Sequence, residues 1–298
     1  MELHDLIKGN CYHICTNGQE CQTLLRDKED YKTACNYLAL TAWKCRISIL
    51  VYIVMSNHVH VLVICSNRKI AVKFITLFKQ KLSIYLAHKY GIKKPLRGVG
   101  NSISLIDSIQ YFKNCVVYIL RNAISAKVCL KLEDYPWSSY SAYFSKPATE
   151  YRKVSSLSLR EIREILKSRD ELSECNLLIS NEGRILNKSF VEYAVVEEAF
   201  RSAKSFIFHI GVCNDSQMEY EFAIKPQLNA NDTDILIATE KLTAAKFGGK
   251  RLDEISTSNK CSMVKNLFYN NKTTIPQLSR ILGLPRDLIC HKIGRAHV

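Results

Sequence analysis

The segment Tyr52-Ile53-Val54-Met55-Ser56-Asn57-His58-Val59-His60-Val61-Leu62-Val63 joins two apolar runs across a short polar break. β-Branched residues dominate both runs, so the segment predicts an antiparallel pair of central strands over residues 47–54 and 58–64. His58 and His60 are two positions apart in the second strand. Their imidazoles would therefore project from one face, while Val59 and Val61 point to the other.

Periodic patterns extend outward from this pair. Upstream, residues 11–16 predict a strand and residues 30–43 a helix. Downstream, a helix over residues 70–90 ends at Gly91, a short strand follows at 102–106, and a helix capped by Asp107 or Ser108 reaches Asn122. The order β-α-β-β-α-β-α is typical of split β-α-β sheets. We therefore predict an α+β domain over residues 1–144, built on a ferredoxin-like antiparallel sheet.

The composition changes after residue 144. Residues 145–156 are polar and predict a linker, and acidic residues become frequent beyond it. Helical apolar spacing predicts a second, mainly helical domain over residues 157–292. Within it, residues 274–292 have the spacing of a helix-turn-helix or of an ordinary helical hairpin. Residues 293–298 match one reading frame of a common sequencing adapter, so we expect a non-native tail there.

The charge of the chain is strongly positive and unevenly placed. The formal net charge is +14, and no Asp or Glu occurs between Tyr31 and Ile106. Surfaces that are merely solvated usually mix both signs, so this stretch predicts a phosphate-binding surface. The predicted DNA contacts are Lys73, Lys79, Lys81, Lys89, Lys93, Lys94, Arg97 and Arg121.

Other features of the composition limit the class of protein. The longest apolar run is far shorter than a bilayer span, and the first ten residues lack the basic start and apolar centre of a signal peptide. The twelve cysteines contain no C-x-x-C pair. We therefore expect a soluble cytoplasmic protein with reduced thiols and without membrane contact.

His58 and His60 are candidate ligands of a metal ion. In isolation, two histidines on one strand face are more typical of hydrogen-bonded polar groups at a sheet surface. Two neutral imidazoles one strand repeat apart can also share a metal ion. The second interpretation gains from Tyr118 and Asn122, which lie four residues apart on one face of a later helix and could bring a hydroxyl and a third oxygen ligand to the metal.

Tyr118 is the predicted nucleophile for cleaving a phosphodiester bond. A phenol beside a cation and neutral bases can attack phosphorus, and the product would be a covalent phosphotyrosine that conserves bond energy for rejoining. A buried aromatic residue on an amphipathic helix is the simpler interpretation of the same tyrosine. Tyr111 is a rival nucleophile, but Cys115 stands four residues after it, where Tyr118 has the amide of Asn122.

Three motifs together resemble one enzyme family. The segment 52–63, the helix segment 118–122 and the turn Asp134-Tyr135-Pro136-Trp137-Ser138-Ser139-Tyr140 resemble, in order and spacing, the single-tyrosine HUH transposases, in the branch of REP-associated tyrosine transposases. The resemblance covers roughly residues 9–144. It implies that His58, His60 and Asn122 bind Mg²⁺ or Mn²⁺ and that Tyr118 forms a 5′-phosphotyrosine. It also implies a substrate of imperfect palindromes that fold as hairpins in single-stranded DNA, and a homodimer.

The chain departs from the family pattern at two places. Asn122-Ala123-Ile124-Ser125 stands where the family has Asn-Pro and a basic residue, and residues 95–100 replace an aromatic and basic loop. Both departures concern recognition of the hairpin more than cleavage.

Two alternatives to a DNA strand-transfer enzyme remain. One is a DNA-binding regulator, derived from a transposase, whose nuclease site has decayed. The other is a metal-dependent phosphodiesterase of small molecules, which the basic stretch disfavours; we therefore expect no small-molecule substrate.

Overall fold

We describe a computed structural model of the chain over residues 2–16, 23–96, 99–212, 232–270, 273 and 275–293. The chain divides into two compact units, residues 1–218 and residues 219–298. The strands of the first unit are β1 (Asn10–Thr16), β2 (Ser48–Val54), β3 (Val59–Cys65), β4 (Asn101–Ile106), β5 (Arg152–Lys153) and β6 (Leu178–Ile179). Its helices are α1 (Leu3–Leu6), α2 (Lys28–Cys45), α3 (Arg68–Tyr90), α4 (Ile109–Ser125), α5 (Leu159–Ile165), α6 (Tyr193–Phe200) and α7 (Ala203–Val212).

The central sheet has four strands in the order β2-β3-β1-β4, and every neighbouring pair is antiparallel. With the chain order β1-α2-β2-β3-α3-β4, this is the ferredoxin-like α+β arrangement, and the predicted fold class is confirmed. Strand β3 begins at Val59, so His58 lies directly before the strand and not inside it.

The two faces of the sheet are covered by different helices. Tyr52 on β2 is fully buried and contacts Cys35 of α2. Its neighbour Ile53 pairs with His60 of β3, whose ring contacts Tyr118 of α4. Because successive side chains of a strand alternate faces, α2 and α4 cover opposite faces. Helix α3 packs beside α2, and its Phe78 lines a small pocket with Val59, which points away from the face of His60.

Polar side chains cap the helices that frame the sheet. Asp27 accepts a hydrogen bond from the backbone of Asp30 at the start of α2, and Asn67 accepts one from Ile70 at the start of α3. Ser108, one of the two predicted caps, accepts from the backbone of Tyr111 at the start of α4. Helix α3 ends at Gly91, whose φ of 66° lies in the left-handed region that glycine adopts without strain.

The aromatic turn after α4 fastens the end of β2. The Tyr135 hydroxyl donates to the carbonyl of Val54 at 2.7 Å, and the backbone N–H of Val54 donates to the carbonyl of Trp137 at 2.9 Å. The Ser139 backbone N–H donates to the carbonyl of Tyr52. These bonds extend the edge of the sheet, so the turn holds the β2 end of the β2–β3 connection.

The structure does not divide the chain at the predicted linker. Residues beyond 144 belong to the first unit, because Val154, Ile162, Leu166 and other apolar residues up to Ile185 share a buried cluster with Ala39 and Leu40 of α2. The sequence also did not predict the antiparallel pairing of β5 with β6 or helix α7. Residues 145–153 form an exposed surface segment, which accounts for their polar composition, and Val154 enters the buried cluster.

The second unit is helical in its described part. Its helices are α8 (Asp232–Phe247), α9 (Thr257–Asn270), α10 (Ile275–Leu282) and α11 (Arg286–Ile293). Leu278, Leu282 and Ile289 lie in its buried core, and Gly283 turns the chain between the last two helices with a φ of 65°. The two helices predicted within residues 274–292 are present, although Thr274 and residues 294–298 lie outside the described residues.

Two further sequence expectations concern the described residues. Ten cysteines there are free thiols. No helix among these residues is both long enough and apolar enough to cross a bilayer.

Candidate active site

Strand register brings three side chains together beneath helix α4. Cys15 of β1 stands opposite His60 of β3, and His13 stands two positions earlier on the same face of β1. The Nε2 atom of His13 lies 3.1 Å from Nδ1 of His60, and Sγ of Cys15 lies 3.7 Å from Nε2 of His60. His13 is 2% exposed and His60 is 3% exposed, so their contact is made away from solvent.

His58 lies beside this cluster, at the start of β3. Its ring centroid is 5.1 Å from that of His60. Its Nδ1 donates to Oδ1 of Asn57 at 2.8 Å, because an amide oxygen can only accept. Its Nε2 then has no proton in the neutral ring and faces Oδ1 of Asn122 at 3.3 Å. The predicted pair of histidines thus lies on one side of the sheet and meets the predicted third ligand.

Tyr118 lies in helix α4 above the histidines. Its ring centroid is 5.5 Å from that of His60 and 6.1 Å from that of His13, and both contacts are edge-to-face. Asn122 follows one turn later on the same helix face. The rival Tyr111 lies two turns earlier, roughly 10 Å along the helix axis. Burial, Cys115 and Asp107 raise the pKa of Tyr111, which disfavours its phenolate.

Burial keeps the histidines of the cluster neutral. It lowers the pKa of His58, although the amide oxygen of Asn122, which would stabilise the protonated ring, opposes this. Burial, His58 and His13 together hold the pKa of His60 well below its ordinary value, and burial lowers the pKa of His13 to about 4. Neutral imidazole is the form that binds a metal ion, so the protonation states suit metal binding.

The two atoms best placed to bind a divalent ion belong to His58 and Asn122. Nε2 of His58 and Oδ1 of Asn122 are both hydrogen-bond acceptors, yet they face each other at 3.3 Å. Two acceptors at that distance repel each other unless a cation or a water molecule binds to both, or unless the amide of Asn122 is rotated so that its NH₂ group donates. Neighbouring ligands on an octahedral Mg²⁺ with bonds of about 2.1 Å are roughly 3 Å apart, which is close to this separation.

The proposed metal ligands include one amide oxygen. No group of three His, Cys, Asp or Glu side chains within the described part of the chain is placed to hold a metal ion. The set His58, His60 and Asn122 therefore depends on the amide oxygen as its third protein ligand. Metal binding by these residues stays a prediction.

His13 and Cys15 are two residues of this cluster that were not predicted from the sequence. The available signal was their spacing, since Cys11, His13 and Cys15 alternate along one face of the predicted first strand. Their contact with His60 depends on the pairing of β1 with β3, which the local pattern does not give.

The predicted DNA contacts fall into two groups. Lys73, Lys93 and Lys94 are exposed. The other described residues contact groups of the chain itself: Lys79 donates to Val99 and Asn101, Lys81 pairs with Asp170, Lys89 pairs with Asp27 and Asp30, and Arg121 donates to the carbonyl of Ile210. Arg97 lies outside the described residues. DNA contact by any of them stays a prediction.

Comparisons with known proteins give similarities to part of the chain. The profile of the family "Transposase IS200 like" matches residues 8–100, which contain His13, His58 and His60 and end before Tyr118. No curated protein matches the chain significantly. A solved structure described as "Structure of the REP associates tyrosine transposase bound to a REP hairpin" aligns at 16% identity with a TM-score of 0.34, over 45% of this chain and 78% of that chain. The profile match shows that residues 8–100 are similar to the IS200-like transposase family.

Proposed function

We propose that the chain cleaves and rejoins single-stranded DNA through a covalent bond to Tyr118. The observation that carries the proposal is the contact of the Tyr118 ring with His60, in a cluster where His58 also meets Asn122. Three distant parts of the sequence, β1, β3 and α4, supply this cluster. A DNA-binding protein without nuclease activity needs phosphate contacts but no such arrangement.

The reaction exchanges one phosphodiester for another. The Tyr118 hydroxyl oxygen attacks phosphorus, the bond from phosphorus to the 3′-oxygen breaks, and the phenolic proton ends on that oxygen as a 3′-hydroxyl. The 5′-phosphate remains on Tyr118. Attack by a second 3′-hydroxyl reverses these steps and rejoins DNA, so no external energy source is needed.

His58, His60 and Asn122 would hold Mg²⁺ or Mn²⁺. A bound divalent ion would stabilise the charge that develops on the non-bridging oxygens. The chain's own residues do the positioning: β3 fixes His60, the hydrogen bond that His58 donates to Asn57 orients His58, and helix α4 carries Tyr118 and Asn122 together. The apposed acceptors of His58 and Asn122 support this assignment.

The substrate we propose is a hairpin formed by a palindromic repeat in single-stranded DNA, which the motif resemblance implies. The exposed Lys73, Lys93 and Lys94 supply positive charge for its phosphates. A homodimer and a cytoplasmic location belong to the same proposal.

The proposal is tested by trapping the covalent product. Purified protein is mixed with Mn²⁺ and a 3′-labelled hairpin-bearing strand taken from DNA that flanks the gene, and the label is followed on a denaturing protein gel. Wild type and Tyr111→Phe should carry the label, while Tyr118→Phe should not. A labelled Tyr118→Phe protein would identify another nucleophile. If wild type binds the strand but stays unlabelled, the regulator hypothesis replaces the enzyme.

A further inference from the structure

A groove lies in the helical layer on the sheet face opposite Tyr118. It is bounded by α2, α3 and residues 163–170, and its volume is about 820 Å³. We call it the α2–α3 groove. Ligand sites in proteins have volumes of about 300–1,000 Å³, so the groove has room for part of a polymer or a small ligand.

Cations in the groove are of two kinds. Lys81 and Lys89 are neutralised by carboxylates, Lys81 by Asp170 and Lys89 by Asp30. Arg163, Lys167 and Arg169 are exposed, and these three side chains make no ion pair with the described residues. The second kind is free to meet an anion from outside. None of these three lies in the acid-free stretch between Tyr31 and Ile106.

Residues 167–170, which carry Lys167 and Arg169, are held in place by contacts with α2 and α3. Asp170 accepts from Lys44 at 3.0 Å and also from Lys81, which ties the segment to α2 and α3. The Tyr37 hydroxyl donates to the carbonyl of Lys167 at 2.8 Å. These contacts use the carboxylate of Asp170 and the backbone carbonyl of Lys167. The cationic side chains of Lys167 and Arg169 therefore remain available to bind an anion. Because the backbone of this segment is already held in place, binding a ligand costs less conformational entropy.

Apolar surface stands beside this charge. Tyr85 lines the groove and is half-buried, and the buried Tyr37 contacts its ring edge-to-face, with centroids 6.3 Å apart. Ile84 lines it as well and is 71% exposed. Cations that follow a backbone, combined with aromatic and apolar surface beside them, are what proteins use to hold single-stranded nucleic acid.

We propose that the α2–α3 groove binds the backbone of a single-stranded DNA segment through Arg163, Lys167 and Arg169. This inference takes its partner from the proposed function but concerns a different surface. Because the groove and Tyr118 lie on opposite faces of the sheet, the segment in the groove is not the one being cleaved. The groove would hold a flanking part of the strand.

Binding without cleavage tests the groove. The variant Arg163→Gln/Lys167→Gln/Arg169→Gln is compared with Lys8→Gln/Lys146→Gln/Lys204→Gln, which removes the same charge from exposed positions that do not line the groove. Anisotropy of a labelled oligothymidine strand is measured over a range of salt without divalent metal. Three lost phosphate contacts should lower the slope of log affinity against log salt by roughly 2. The control variant should keep the wild-type slope.

Further measurements distinguish specific binding in the groove from nonspecific attraction to positive charge. Thermal unfolding should show both variants folded at the wild-type midpoint. Loss of affinity should be larger for the single strand than for a duplex of matched length. Equal slopes for the two variants, or an equal loss for duplex, would overturn the groove. Since no cleavage is measured, a wild type that forms no adduct would sink the enzyme proposal and leave this test intact.

Discussion

Nε2 of His13 lies 3.1 Å from Nδ1 of His60, and both rings are buried. One of the two nitrogens must donate. If His60 donates, its Nδ1 carries the proton and its Nε2 keeps a lone pair for a metal ion, and the acceptor on β1 sets both the tautomer and the ring orientation. His13 would then be a positioning residue.

A matched pair of variants tests the role of His13. His13→Phe keeps an aromatic ring but removes the acceptor, and we expect Mn²⁺ affinity to fall about 10–100-fold, the usual cost of losing such a partner. His13→Gln keeps an acceptor oxygen and should retain most of the affinity. The measurement is a Mn²⁺ titration of DNA-free protein followed by electron paramagnetic resonance. Equal affinity of wild type and His13→Phe would remove His13 from the site.

Asn122 is predicted to act through its amide oxygen. Oδ1 faces Nε2 of His58 at 3.3 Å. Asn122→Asp keeps an oxygen there and adds negative charge, so it should bind Mn²⁺ at least as tightly as wild type. Asn122→Leu keeps the approximate size and removes the ligand, so both Mn²⁺ binding and adduct formation should fall. If Leu and Asp behave alike in the titration, the side chain is no ligand.

The sequence predicted what local patterns encode. The β-branched runs around His58 gave β2 and β3, and helical spacing placed Tyr118 and Asn122 on one face of α4. It did not predict His13, because the contact with His60 joins residues 47 apart through strand pairing. The boundary at residue 144 also failed, since no local signal shows that Ala39 and Leu40 inside α2 are covered by residues 154–185.

Replacing Asp30 should have a large and pH-dependent effect on the free energy of unfolding. The carboxyl is fully buried and accepts hydrogen bonds from Lys89, Tyr90, Tyr85 and the backbone of Arg26. Burial would raise the pKa of Asp30, but the hydrogen bonds outweigh it and hold the pKa below the ordinary value. We expect Asp30→Asn to lower the free energy of unfolding by about 3 kcal/mol at neutral pH, at the lower end for a broken buried pair because Lys89 is partly exposed.

The sign of the pH dependence follows from the lowered pKa. The contribution of the ionised carboxyl is complete above the unfolded pKa of about 3.9 and is lost as pH falls through the lower folded pKa. Urea unfolding at neutral and acid pH should therefore show the gap between wild type and Asp30→Asn closing in acid. A gap that is constant with pH would mean that the carboxyl is not ionised in the native protein.

The packing of residues 145–212 predicts how the chain tolerates truncation. The Asn187 side chain accepts from the Tyr52 hydroxyl at 2.5 Å and donates to the carbonyl of Ser138 at 2.8 Å. The backbone N–H of Glu192 donates to the carbonyl of Ile49 at 2.7 Å. A chain that ends at residue 144 would leave these β2 groups and the apolar face of α2 uncovered. We expect it to aggregate or to unfold without cooperativity.

A chain that ends at residue 218 keeps the whole first unit and supplies the control. It should unfold in one cooperative step and retain Mn²⁺ binding, because β1, β3 and α4 lie inside it. Circular dichroism during heating compares the two chains. A shorter chain with the same midpoint would show that residues 145–218 add no stability, and the domain would then end where the composition changes. Since an exposed apolar face of α2 costs free energy in proportion to its area, we expect the chain that ends at residue 144 to lack the cooperative transition of the longer chain.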